Sequence, residues 1–173
     1  MTLLRVDMAG LNDILDQIGD HAEAAARPAA QAAAQVLYDE VGRNVALLGR
    51  KTGNLTSAIY QAFSSANSGP GHATYHVSWN KRKAPHGGLV EFGHIQRYVS
   101  YVGSDGNWYT AIRPSMRGKP KPTRNASQAV KDAYYVLLPA PKQVAAQSFV
   151  RKATSKFDAA AAAAQAKLLE EIQ

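Results

Sequence analysis

Leu11, Ile14, Leu15, Ile18, Ala22, Ala25 and Ala29 fall on one face of a helix, and Ala32, Ala33, Val36, Leu37 and Val41 continue the stripe. Asp13, Asp16, Asp20 and Glu23 sit largely off it. The pattern predicts a long first helix, opened by Asn12 or Asp13 after a turn at 8–10, with a short strand or arm at 2–7 before it. Pro28 lacks a backbone donor and clashes with the turn before it, so a kink or break is expected at 24–28.

The period then changes. Thr52 or Asn54 is placed to cap a short helix whose Leu55, Ala58, Ile59 and Phe63 point inward, and 64–71 has the composition of a loop. Tyr75, Val77 and Trp79 alternate with His76, Ser78 and Asn80, which predicts a half-buried strand. A basic, glycine-rich turn leads to Leu89, Val90 and Phe92, a short apolar unit with Glu91 embedded in it. Gly93 closes the unit and is suited to a left-handed position at a helix end. Residues 97–112 read as a hairpin turning at Asp105-Gly106, with Tyr98, Val99, Tyr101 and Val102 before the turn and Trp108, Tyr109 and Ile112 after it.

Residues 113–124 hold three prolines and five bases, Arg113, Arg117, Lys119, Lys121 and Arg124. They read as an extended arm, ordered only if something holds it. A short helix passing into a strand follows at 125–138, ended by Pro139 and Pro141. From Lys142, the residues Val144, Ala145, Phe149, Val150, Ala153 and Phe157 have helical spacing, and an alanine run carries that helix to Ile172. The elements together predict one α+β domain over 1–173: a long N-terminal and a closing helix on a small mixed or antiparallel sheet, with a hairpin and basic arm inserted at 97–124.

Composition narrows the function classes. The chain has 173 residues, enough for one core, and much of its apolar content is alanine, which buries little area per residue. Thin helix packing of that kind calls for neighbours. With no cysteine, there is no disulfide and no thiolate chemistry. The N-terminus lacks the apolar core and cleavage site of a secretory leader, and no apolar run reaches the roughly 18–20 residues of a membrane span. Net charge is +7, and the excess is concentrated at 61–142, where eleven bases face three acids. That favours a negative neighbour, nucleic acid or acidic protein.

Candidate chemistry is sparse. Gly49-Arg-Lys-Thr-Gly53 has part of a phosphate loop but not its spacing or its preceding strand. His72, His76, His86, His94 and Glu91 could gather round a metal, though satisfied surface histidines are commoner. No serine elbow or carboxylate pair suggests catalysis, and no cofactor is implied. Glu91 reads as a cap for backbone amides or a partner for Arg97, Arg113 or Arg151. Lys81-Arg82-Lys83 reads as a solvated tip first and a phosphate or acidic docking contact second. An alternative function is a nucleic-acid module using Lys81–Lys83 and Arg113–Arg124, with Tyr98, Tyr101, Trp108 and Tyr109 as stacking platforms.

Three landmarks stand in order: Thr52-Gly-Asn-Leu-Thr-Ser-Ala-Ile59, Leu89-Val-Glu-Phe-Gly-His94 and Ala146-Gln-Ser-Phe-Val-Arg-Lys-Ala153. With the long first helix, they resemble the HK97 gp10-like family of tailed-phage head–tail joining and tail-completion proteins. The resemblance covers about 10–95 and 143–170. His94 stands where the family has threonine, Ser148 where it has proline before the phenylalanine, and Lys152 where it has a second proline.

The resemblance implies a tail-terminator-like fold and a non-enzymatic virion protein, made in the host cytoplasm and built into the neck or proximal tail. It implies a ring, hexameric, between the portal or head-completion proteins and the tail tube or terminator, with possible DNA contact in the channel and no membrane. Carried over by position, Gly53, Leu55 and Ile59 seat the first helix. Glu91, Phe92 and Gly93 form a compact sheet-side corner, and Phe149, Arg151 and Ala153 lock the closing helix to the body.

Overall fold

The computed structural model describes residues 9–49 and 53–172, and the side chains of these except 9–16. The expected arm at 2–7, the capping role of Thr52 and the bases Arg50 and Lys51 lie outside the described residues. The chain forms two compact units, Met1–Glu91 with Gln147–Gln173, and Phe92–Ala146.

In the first unit, α1 (Ala9–Leu47) is helical throughout, Pro28 included, so the expected break does not occur. Ala25 and Ala29 are buried on either side of that proline, and their packing holds the helix across it. Ala34, Val41 and Val45 are also buried, but about 160–200° around the axis from Ala25. α1 therefore buries two faces, not one stripe. Along one it packs on α5 (Phe157–Ile172). The other meets a hairpin of β1 (Ile59–Phe63) and β2 (Tyr75–Trp79), paired from Ile59↔Trp79 to Phe63↔Tyr75. On the hairpin side, the Gln61 amide donates to the Gln31 carbonyl at 3.4 Å, and the Arg27 guanidinium lies 4.4 Å from the centre of the Phe63 ring. Both helices and the small antiparallel sheet are as the periodicity predicts.

The core of this unit joins Val41 and Val45 to Ala58, Ile59, Trp79, Ala84, Phe149 and Ala153. Ile59 opens β1 instead of closing the short helix α2 (Asn54–Ala58). α2 starts from Gly53 at φ 74°, a backbone position that favours glycine, so Asn54 lies inside the helix and is not its cap. Trp79 and Phe149 meet edge to face at 5.4 Å. Against that indole sits Gly87, the first residue of α3 (Gly87–Phe92), where a Cβ would lie 2.6 Å from Trp79 Cδ1. Gly87→Ala is expected to cost about 1–3 kcal/mol by overpacking, read as a lowered denaturation midpoint at unchanged slope.

The closing segment departs from expectation. Phe149 and Val150 precede a 3-10 helix, Arg151–Lys156, and the α-helix begins only at Phe157. Upstream, β6 (Leu137–Val144) runs through both prolines that were expected to end it. It pairs with β3 (His94–Tyr98), and the register slips between Gln96↔Lys142 and Tyr98↔Leu137. Residues 138–141, both prolines among them, fall inside that slip, where no ladder donor is required.

In the second unit, β4 (Ser100–Val102) and β5 (Trp108–Thr110) form the expected hairpin, with Gly106 at φ 75° in its turn. The basic arm is held by its own unit. Tyr134 donates to the Lys119 carbonyl at 3.0 Å, and Lys131 Nζ donates to the Arg124 carbonyl at 2.7 Å, both from or beside α4 (Gln128–Tyr134). The 3-10 turn Pro114–Met116 shortens the arm further.

Candidate interaction surfaces

The Glu91 carboxylate is the buried charged group of the described core, 1% exposed. In α3, Gly87 and Glu91 stand four residues apart and both point inward. Leu89 and Phe92 fall on the opposite side and are 50% and 64% exposed. Phe92 therefore does not pack inside a corner as expected: the carboxylate is inside and the ring outside.

Glu91 takes both roles expected of it. Its Oε2 accepts from the Val150 amide at 2.9 Å, and its Oε1 accepts from the Arg151 amide at 3.1 Å and from Arg151 Nε at 3.2 Å. Of the three arginines considered as partners, Arg151 makes the ion pair. Arg151 Nη2 also donates to the Glu91 carbonyl at 2.9 Å and to the Ser148 hydroxyl at 2.8 Å. The Ser148 hydroxyl in turn donates to the Glu91 carbonyl at 3.2 Å. The second and third landmarks are thus one node, with amides at the start of the 3-10 helix satisfied by a charge fixed from α3.

Ser148 adopts φ 50°. Proline, fixed near −65°, could not stand there. Asn44 Nδ2 ties α1 to this loop through the Phe149 carbonyl at 3.0 Å. Phe149 itself is fully buried, and Leu55 is half-buried against the same core. Gly93, at φ 72° just after α3, takes the helix-end role expected of it, and a Cβ there would meet the Val144 carbonyl oxygen at 2.6 Å.

The bases differ in what they do within their own units. Lys81, Arg82 and Lys83 are exposed on a turn that Asn80 Oδ1 fixes by accepting from the Arg82 and Lys83 amides at 2.9 and 3.3 Å. Arg113 is half-buried, its Nε donating to the Tyr135 carbonyl at 3.0 Å, so it serves the fold. Arg117, Lys119, Lys121 and Arg124 are exposed. Among the described residues, no group of His, Asp or Glu could hold a metal, so the histidines and Glu91 do not gather. Nor, among them, is any helix long and apolar enough to cross a membrane.

Comparison with family models, curated proteins and solved structures returned no match.

Both acids of the second unit are bound by its own side chains. Asp132 accepts from Tyr98 Oη and Gln128 Nε2 at 2.7 Å each and pairs with Arg97 at 3.4 Å. Its pKa is lowered, first by the Tyr98 hydroxyl and then by Gln128. Asp105 accepts from Tyr109 Oη at 2.6 Å and from the Asn107 amide and side chain at 3.0 and 2.7 Å. The Tyr109 hydroxyl first, then Asn107, pulls the Asp105 carboxyl down to about 2. A lowered folded-state pKa adds stability above the unfolded value near 3.9, lost as pH falls through about 2. The hairpin should therefore loosen between about pH 4 and pH 2. In Tyr109→Phe the Asp105 midpoint should rise toward the ordinary value, which carboxyl-detected NMR titration measures. An unchanged midpoint would contradict the assignment of cause.

Sequence reasoning anticipated only the start of β6, and neither its run through the prolines, the Trp79–Gly87 contact nor the left-handed serine. The glycine beside His86 was the one available signal for the second.

Proposed function

We propose that the protein is a non-enzymatic ring subunit of a tailed-phage virion, hexameric and placed at the head–tail junction. There it would join the portal or head-completion ring to the tail tube, as a neck or tail-completion component. Its mechanism is geometric: one interface repeats around an axis and presents a fixed surface to the rings on either side. What supports the assembly half is the apolar surface left on a small, alanine-rich chain. Leu47, Leu89, Phe92, Val102, Trp108 and Phe157 are each at least half exposed, surface that neighbouring copies in a ring would cover. The phage half rests on the three ordered landmarks, two of which meet at Glu91 and Arg151. A tail-terminator tier is the nearest variant of the same reading.

Negative-stain imaging of the purified protein and of labelled particles tests it. The expected result is sixfold rings and label at the neck. A protein that is strictly monomeric and absent from particles would defeat the proposal.

The second reading, a nucleic-acid module, is favoured by the second unit's eight bases against two acids and by its exposed Tyr101, Trp108 and Tyr109. Duplex or single-stranded DNA binding that falls steeply with salt would support it, and no binding at low salt would remove it.

A further inference from the structure

We propose that the second unit binds single-stranded nucleic acid, its phosphates along a basic strap at 117–124 and its bases against the tyrosine face of the β4–β5 ribbon. The proposal rests on the nucleic-acid reading above and names the ligand and the two surfaces that hold it.

The strap is pinned at successive points by groups of its own unit. The Arg113 amide donates to the Tyr134 carbonyl at 3.0 Å, the Lys119 amide to the Met116 carbonyl at 3.2 Å, and the Ala126 amide to the Thr123 carbonyl at 3.1 Å. The Lys119 and Arg124 carbonyls accept from Tyr134 Oη and Lys131 Nζ. Pro120 and Pro122 stiffen the span between those two anchors. The side chains of Arg117, Lys119, Lys121 and Arg124 stand exposed on this fixed backbone. The charges are thus spaced before a ligand arrives, so binding bears less of the cost of ordering them.

No acid of the unit answers these four. Between Asp105 and Asp132 the sequence has six bases and no acid. Asp105 itself is engaged by Tyr109 and Asn107, and Asp132 by Tyr98, Gln128 and Arg97. A surface that serves solubility alone mixes both signs, whereas a run of one sign attracts a polyanion.

The ribbon decides which polyanion. Tyr101 pairs with Tyr109 on one face, their rings 5.9 Å apart and 33° from parallel, 52% and 45% exposed. The Tyr109 hydroxyl donates to Asp105 at 2.6 Å, which holds that ring in place. Exposed rings of this kind are platforms for unstacked bases. A run of carboxylates offers them no flat partner, and a duplex keeps its base faces inside its own stack. Ribbon and strap are continuous in chain. Arg117 follows Tyr109 by eight residues, at most about 29 Å of backbone. One strand of the length such surfaces hold, about 4–16 nucleotides, reaches both.

Fluorescence anisotropy of the full chain with labelled oligothymidylate, and with a mixed-sequence duplex of equal length, tests this across salt. Oligothymidylate should bind the tighter. Lys119→Gln together with Lys121→Gln should weaken it and lower the salt slope by about 1.4, the share of two phosphates on a single strand. Tyr101→Val, which suits a strand, should weaken oligothymidylate about tenfold and leave the slope and the duplex affinity unchanged. The Asp105 carboxyl midpoint, which Tyr109 holds low, reports whether the hairpin of that variant is intact. Tyr101→Ile repeats the test if that midpoint has risen. Duplex bound as tightly as the single strand, or a Tyr101 variant with an intact hairpin that binds oligothymidylate normally, overturns the inference and leaves the nucleic-acid reading standing. Displacement of oligothymidylate by polyglutamate at equal charge assigns the strap to an acidic protein and overturns both. No binding of either nucleic acid at low salt removes the nucleic-acid reading first, and this inference with it.

Discussion

Glu91→Ala is expected to lower stability by about 3–4 kcal/mol, the largest effect of any single polar substitution in the described core. The reason is what remains behind. Val150 and Arg151 lose the acceptor for their amides, at 2.9 and 3.1 Å, in a place from which the fold excludes water. Each orphaned donor costs about 1–3 kcal/mol. Arg151 is the lesser loser, because 56% of its side chain already faces solvent and its charge can be rehydrated. Glu91→Gln keeps one acceptor and should cost about 2 kcal/mol, whereas Arg151→Ala should cost less than Glu91→Ala. Guanidinium unfolding followed by circular dichroism at pH 7 ranks the three. If Arg151→Ala proved the worst, the ion pair and not the amide cap would be holding the node.

Phe149→Ala is the other large effect, about 3–5 kcal/mol. Phe149 is 0% exposed and packs edge to face on Trp79, so truncation opens a cavity between the 3-10 helix, α1 and β2 that these rigid elements cannot close. Phe149→Leu should recover most of the loss. The Trp79 environment should change in step, with emission shifted to the red only in the alanine variant. A loss under about 1 kcal/mol would show that the closing segment docks through Glu91 alone.

These two residues also show where the sequence was readable. Both lie in short motifs whose local pattern is complete: a carboxylate flanked by apolar residues, and a phenylalanine four residues from Ala145 and from Ala153. The period of 3.6 marked the long helix, although Pro28 argued for a kink or break that does not interrupt it, and the period of two marked Tyr75, Val77 and Trp79. Asp105-Gly106 marked its turn because only a few residues fit there.

What could not be read depended on distant partners. Tyr98 was placed in a hairpin with the strand after the turn, yet β3 pairs with β6, some forty residues on in chain, and nothing in either strand's alternation names the other. Prolines 139 and 141 argued for a chain break because propensity is local, whereas a register slip made their missing donors harmless. Phe92 lies outside because in a six-residue helix the positions four apart, Gly87 and Glu91, share the inward side. The arm at 113–124 looked unsupported because its supports, Tyr134 and Lys131, belong to a helix that follows it. For the candidate surface the limit was greater. Sequence listed the bases, but only coordinates separate Arg113, spent on the Tyr135 carbonyl, from Arg117 to Arg124, which face solvent.

Assembly of the chain with itself is the claim on which the functional account turns, and native mass spectrometry across protein concentration tests it most directly. The account predicts a dominant species of six chain masses that persists on dilution. A single species of one chain mass at every concentration and salt would contradict it.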